Sequence, residues 1–193
     1  MPTRREFPPR SLNAEALNEG RVDPQYTRVL IRLLAAHAMA EKLTALGYQR
    51  ALATLDNPDL RPIVEKNFEE EKKHARLIYH ALAELGISQQ AADRSMIMVL
   101  KAPSFDAPSY FASKAEGELD LLMASLSLDT TGLIMIGENY KDSSYAPHAR
   151  AAEIILDEEA DHEIFASRQL ATPSINLASS RSTPRFADGS RAQ

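Results

Sequence analysis

Glu159-Ala160-Asp161-His162, late in the chain, repeats a pattern already present at Glu71-Lys72-Lys73-His74: a carboxylate followed three residues later by an imidazole. On an α-helix, residues at i and i+3 project from adjacent turns of one face, so each pair can converge on a single point. Each pair also has an acid 30 positions upstream, Glu41 before Glu71 and Asp129 before Glu159, inside an apolar run of helical character. The chain therefore reads as two copies of one helical device.

Working outward from these motifs, the apolar residues Val29, Leu30, Leu33, Leu34, Ala38, Leu43, Leu46 and Leu52 recur close to a 3.6 period and predict a first helix over 25–54. Asp56-Asn57-Pro58-Asp59 ends it. A second helix is expected over 62–85, with Pro62 in the first turn, Gly86 just past the end, and Ile63, Val64, Phe68, Leu77 and Ile78 on the buried side. A third runs over 109–140, closed by the turn-forming Asp142-Ser143-Ser144-Tyr145-Ala146-Pro147, and a fourth over 147–170. Residues 87–107 carry only a short helix, capped by Ser88 and reaching Met98. That stretch is too long for a hairpin yet long enough to climb a bundle roughly 35 Å tall. Residues 1–24, broken by prolines, read as an arm, and residues 171–193, rich in Ser, Arg, Pro and Ala, as a flexible tail.

No strand signal competes. Four long helices, paired by short turns and joined by one long crossover, predict an all-α fold over 25–170: a ferritin-like up-down-down-up four-helix bundle. Height along such a bundle can be read from distance to the turn. Asp129 and Glu159 flank the turn near residue 144 by 15 residues each, and Glu41 and Glu71 flank the turn near residue 56 about equally. The two triplets thus meet at one level. Glu138, the other candidate on helix three, lies roughly 13 Å along the axis from that level and belongs near the bundle end.

Composition narrows the chemistry. The 193 residues include 27 acidic against 22 basic side chains, a net charge of −5, which disfavours a nucleic-acid partner. With no cysteine, neither disulfides nor thiolate ligands exist, and a metal site must use oxygen and nitrogen donors. The N-terminus is basic without an apolar core, and no apolar run is expected to reach the roughly 18 residues that span a bilayer. A cytoplasmic protein without membrane contact is the expectation.

Glu41, Glu71, Asp129 and Glu159 supply four negative charges, which two divalent ions would neutralise once His74 and His162 bind as neutral imidazoles. Hard carboxylates with imidazole suit iron, or manganese, better than copper or zinc. Glu70, Glu158 and Asp161 are candidates to accept the second ring N–H of a ligand histidine, and His37, one turn before Glu41, to lie behind the ligands. His80 and His148 fit neither triplet and are expected at the surface. Tyr48, Tyr79 and Tyr140 are read as packing residues. On helix three, Ser125, Thr130 and Gly132 surround Asp129, and a glycine inside a helix marks wanted space, here a substrate pocket.

Leu128-Asp129-Thr130-Thr131-Gly132, then Asp142 to Arg150, then Asp157-Glu158-Glu159-Ala160-Asp161-His162 resemble the second half of the bundle in the catalytic subunits of phenylacetyl-CoA epoxygenases, the multicomponent monooxygenases of phenylacetic acid catabolism. Glu70-Glu71-Lys72-Lys73-His74-Ala75-Arg76 is similar to their first-half motif. The resemblance implies a non-haem di-iron centre, with the six residues above as ligands, that activates dioxygen using electrons from a separate reductase. It implies hydroxylation or epoxidation of a small organic substrate, an acyl-CoA in that family, and a homodimer is the expected assembly. The same ligands would also serve a ferritin-like iron-oxidising, storage or peroxide-detoxifying protein, or a stand-alone tRNA hydroxylase.

Overall fold

The computed structural model describes residues 7–100 and 117–171, and among them the secondary structure is helical, with a single isolated bridge between Leu12 and Tyr145. The all-α expectation holds. Helix α1, Ala14–Asn18, is capped by Asn13, whose side chain accepts from the Ala16 N–H at 2.9 Å. The N-terminal stretch is therefore more than an arm: Leu12, Leu17 and Val22 are buried in the main core. Leu12 also pairs its backbone with Ser144 and Ala146, both at 2.8 Å. Three isolated apolar residues show no period, so their docking left no helical signature.

Helix α2, Pro24–Leu52, starts where Pro24 presets the first turn and Asp23 accepts from the Gln25 N–H at 2.7 Å. Helix α3, Arg61–Glu84, ends as expected at Gly86, which adopts φ 76° while the Ile87 N–H bonds back to Leu82 at 3.0 Å. Helix α4, Gln89–Leu100, begins with the Ser88 hydroxyl accepting from Ala91 at 3.2 Å and is held against α2 by Lys42 and Asp93 at 2.6 Å. The remainder of the crossover, the expected start of the third helix at 109–116 and the tail beyond Ala171 lie outside the described residues.

Helix α5, Glu118–Met135, continues into a π-helical turn, Ile136–Tyr140, closed by Lys141 N–H to Ile136 carbonyl at 3.0 Å. Helix α6 spans Ala146–Ala171. Within α5 and its π turn, Glu118–Tyr140, an 18-residue window has a mean hydropathy of 1.5, so the described residues do include one helix long and apolar enough by composition to cross a membrane. The run escapes notice in the sequence because Ser, Thr, Asp and Gly interrupt it.

Close pairs define the packing. Across α2 and α3, Arg61 donates to the Leu52 carbonyl at 3.1 Å and Asn67 to the Tyr48 hydroxyl at 3.5 Å, so these helices run antiparallel. Helix α5 packs on α6, and α6 on α3, whereas α2 and α5 approach each other less closely. Two apolar clusters result, one around Leu34, Ile78, Leu82, Tyr145 and Ile155, the other around Tyr48, Leu55, Leu60, Val64 and Leu121. Between them lies a layer of charged residues.

Candidate metal centre

Each long helix delivers residues to that layer: α2 supplies Glu41, α3 Glu71 and His74, α5 Asp129, α6 Glu159 and His162. All six are buried, none more than 6 % exposed. Their atoms form two groups that could hold a metal ion, Glu41, Glu71, His74 and Glu159 in one and Glu71, Asp129, Glu159 and His162 in the other, with ligand atoms within 4.8 Å in each. Glu71 and Glu159 belong to both. Glu138 is exposed on the π turn, away from the layer.

The histidines are aimed by their outer nitrogens. His74 Nε2 lies 2.9 Å from Glu158, and His162 Nε2 lies 2.9 Å from Glu70. A carboxylate only accepts, so each Nε2 carries a proton and each Nδ1 faces inward, where it offers a lone pair once its own proton is lost. His74 Nδ1 is 3.4 Å from Glu159 and 3.7 Å from Glu41, and His162 Nδ1 is 3.6 Å from Glu71 and 3.8 Å from Glu159. The pairing crosses between α3 and α6, and lysines brace both carboxylates, Lys73 on Glu158 and Lys66 on Glu70. Asp161, the third candidate, is exposed, since one residue before His162 it points about 100° away around the helix.

Burial opposes charge throughout the cluster. It pushes Glu71 up to about 8 and Asp129 up to about 7, aided by the neighbouring charge of Glu159. Burial would lower the imidazoles, but the facing carboxylates prevail, raising His74 to about 12 and His162 to about 9. Glu41 also meets a burial penalty, yet His37 and His74 outweigh it and hold its carboxyl well below the usual range. Both oxygens of Glu71 and the Nδ1 atoms of His74 and His162 are buried with no hydrogen-bond partner. Buried polar atoms are normally satisfied, so orphaned donor atoms converging between four carboxylates fit divalent cations.

Behind the ligands, His37 Nε2 stands 2.8 Å from Glu41, where it was expected, and His37 Nδ1 is 3.1 Å from His148 Nε2. His148 is thus a correction: expected at the surface, it is wholly buried, with the Tyr140 ring 5.0 Å away. Helical arithmetic could have found it, because His148, Ala152, Ile155, Glu159 and His162 follow one face of α6. His80 is exposed, as expected. Tyr48 does more than pack: its hydroxyl is 2.8 Å from Ser125, whose own hydroxyl donates to Asp129 Oδ2 at 2.7 Å. Tyr79 similarly bonds Asp93.

A cavity of about 350 Å³ opens on the carboxylate side, lined by Glu41, Glu71, Asp129 and Glu159 but by neither His74 nor His162. Of the three expected pocket residues, only Gly132 lines it. Ser125 sits beneath Asp129 as a hydrogen-bond partner, and Thr130 is exposed, outside the lining. Thr131 takes its place, with Thr44, Leu128 and Ile136. A Cβ added at Gly132 would lie 3.8 Å from Glu159 Oε2, so the glycine leaves open space directly before that carboxylate. Compared with models of known protein families and with curated protein sequences, the chain finds no match.

Proposed function

We propose that this chain is a non-haem di-iron oxygenase built on a ferritin-like, up-down-down-up four-helix bundle. The observation that carries the reading is the pair of buried ligand groups sharing Glu71 and Glu159, with their donor atoms unsatisfied and a cavity beside them. The topology is supported by the pairs His74–Glu158 and His162–Glu70, which fit antiparallel α3 and α6, and by Tyr48–Ser125, with Tyr140 against His37, which fit antiparallel α2 and α5.

Two bound irons would supply activation of dioxygen and delivery of an oxygen atom, with electrons from a reductase partner. The residues do the rest. Glu41 and His74 would hold one ion and Asp129 and His162 the other, with Glu71 and Glu159 belonging to both groups. The Ser125 hydroxyl donates to Asp129 Oδ2 and would hold this carboxylate in place for an ion. Ala36, Ala40, Leu128 and Ile136 give the cavity an apolar wall, and Gly132 leaves room for dioxygen and an organic substrate.

The apolar lining of the cavity favours an oxygenase over iron storage or peroxide removal, which need no organic pocket. The net charge of −5 speaks against a tRNA substrate. A cytoplasmic homodimer completes the proposal. The test is metal analysis of protein expressed in iron-rich medium, then dioxygen consumption with a reductant and trial substrates. About two irons per chain are expected, and a metal-free product would overturn the reading.

A further inference from the structure

Two cavities share a wall. The one beside the ligand cluster, about 350 Å³, and a larger one of about 600 Å³ toward the start of α2 both have Met135 and Tyr140 in their linings. Their other common boundary is α2, where Val29, Leu30 and Leu33 line the larger and Ala36, Ala40 and Thr44 the smaller. These positions form one stripe down the helix, about 22 Å long. Its inner end reaches Glu41 and Asp129, and its outer end reaches Tyr26 and Ser144, whose hydroxyls are hydrogen-bonded.

Leu30 apart, the stripe is not core. Val29 is 58 % exposed, Leu33 37 % and Met135 42 %, so large apolar side chains face open space where a solvated helix surface would be polar. Charge restricts what could cover them. Among the described residues neither lining contains lysine or arginine, while Asp142 lines the larger cavity and the ligand carboxylates the smaller. An anionic head group would find no counter-charge among these lining residues.

We infer that the two cavities form one channel for an elongated, uncharged apolar substrate of the long-chain alcohol type. Its neutral head lies at the Tyr26–Ser144 end and its chain follows the α2 stripe to the ligand carboxylates. Met135, unbranched and conformationally adaptable, forms the neck with Tyr140. The substrate assignment rests on the oxygenase reading, whereas the channel belongs to the metal-free protein and can be tested there.

A fluorescent alcohol, pyrene-labelled dodecanol, titrated into the full chain stripped of metal reports occupancy. Dodecanol should displace it at least about tenfold better than butanol or dodecanoate, a difference of about 1.4 kcal/mol. Met135→Trp in the neck and Leu33→Glu on the stripe should each weaken probe binding by about tenfold or more. Leu33→Glu changes an exposed position and keeps the test alive should Met135→Trp misfold. Dodecanoate or butanol displacing the probe as well as dodecanol does would overturn the inference. So would a wild-type dimer that binds no probe and is split by Leu33→Glu, since the face would then join two copies. Metal uptake measured on the same samples separates the claims: probe binding without metal leaves the channel and removes the oxygenase, and metal without probe binding does the reverse.

Discussion

His74 on α3 holds its outer nitrogen 2.9 Å from Glu158 on α6, and thereby presents Nδ1 to the ligand cluster. Replacing Glu158 by leucine removes the acceptor that fixes this tautomer. Metal affinity should fall about 10- to 100-fold, with Glu158→Gln, whose carbonyl still accepts, closer to wild type. Titration with a chelator of known affinity measures both. Equal affinity in all three proteins would show that the ring is oriented by packing alone.

Glu71 should be essential to metal binding and harmful without it. Burial raises its folded pKa to about 8, above an unfolded value near 4.5, so the metal-free protein loses stability as pH rises through that window. Glu71→Gln removes the liability. The metal-free melting temperature at pH 8 should rise by on the order of 5 °C, while added iron no longer raises it further. A variant that melts lower than wild type without metal would contradict this account of the carboxylate.

Loading should release protons. Around neutral pH, Asp129, Glu71, His162 and His74, with values raised to about 7, 8, 9 and 12, hold protons that bound cations must displace. Apparent affinity therefore increases with pH. Calorimetric heats of binding should differ between phosphate and Tris in proportion to their ionisation enthalpies, and identical heats would refute the coupling.

Gly132 offers a graded test of the cavity. Alanine there meets Glu159 Oε2 at 3.8 Å, an ordinary contact, and should stabilise the helix by up to about 1 kcal/mol with metal uptake unchanged. Gly132→Leu fills the space before the carboxylate. Its metal content should persist while substrate-dependent dioxygen consumption falls by about tenfold or more. Retained turnover in the leucine variant would place the substrate elsewhere.

Much of this was legible because the relevant interactions are periodic. The six ligand candidates share helical spacings and equal distances from two turns, so sequence alone brought Glu41, Glu71, His74, Asp129, Glu159 and His162 to one layer. Glu70 and Glu158 followed, but their crossing to the opposite histidine needed the packing of α3 on α6. Periodicity also misled. Val29 and Leu33 fit the same apolar rhythm as Leu34, yet they line an open cavity while Leu34 is buried. An apolar face toward a cavity and one toward a core look alike in a sequence. Leu12, Leu17 and Val22 were missed for the opposite reason, since docking by scattered residues has no period at all.

The π turn over Ile136–Tyr140 carries one residue more than an ordinary helical turn would need. It acts as a phase change, letting α5 keep one register for Asp129 and Gly132 and another for Tyr140. Rewinding the turn as a regular α-helix with every residue kept would turn Tyr140 by about 100° while leaving the residues ahead of it in place. The ring now set 4.6 Å from His37 would swing off the histidine pair and out of both cavities. A single surplus residue thus separates the tuning of the channel neck from the tuning of the metal ligands, so either can change without disturbing the other.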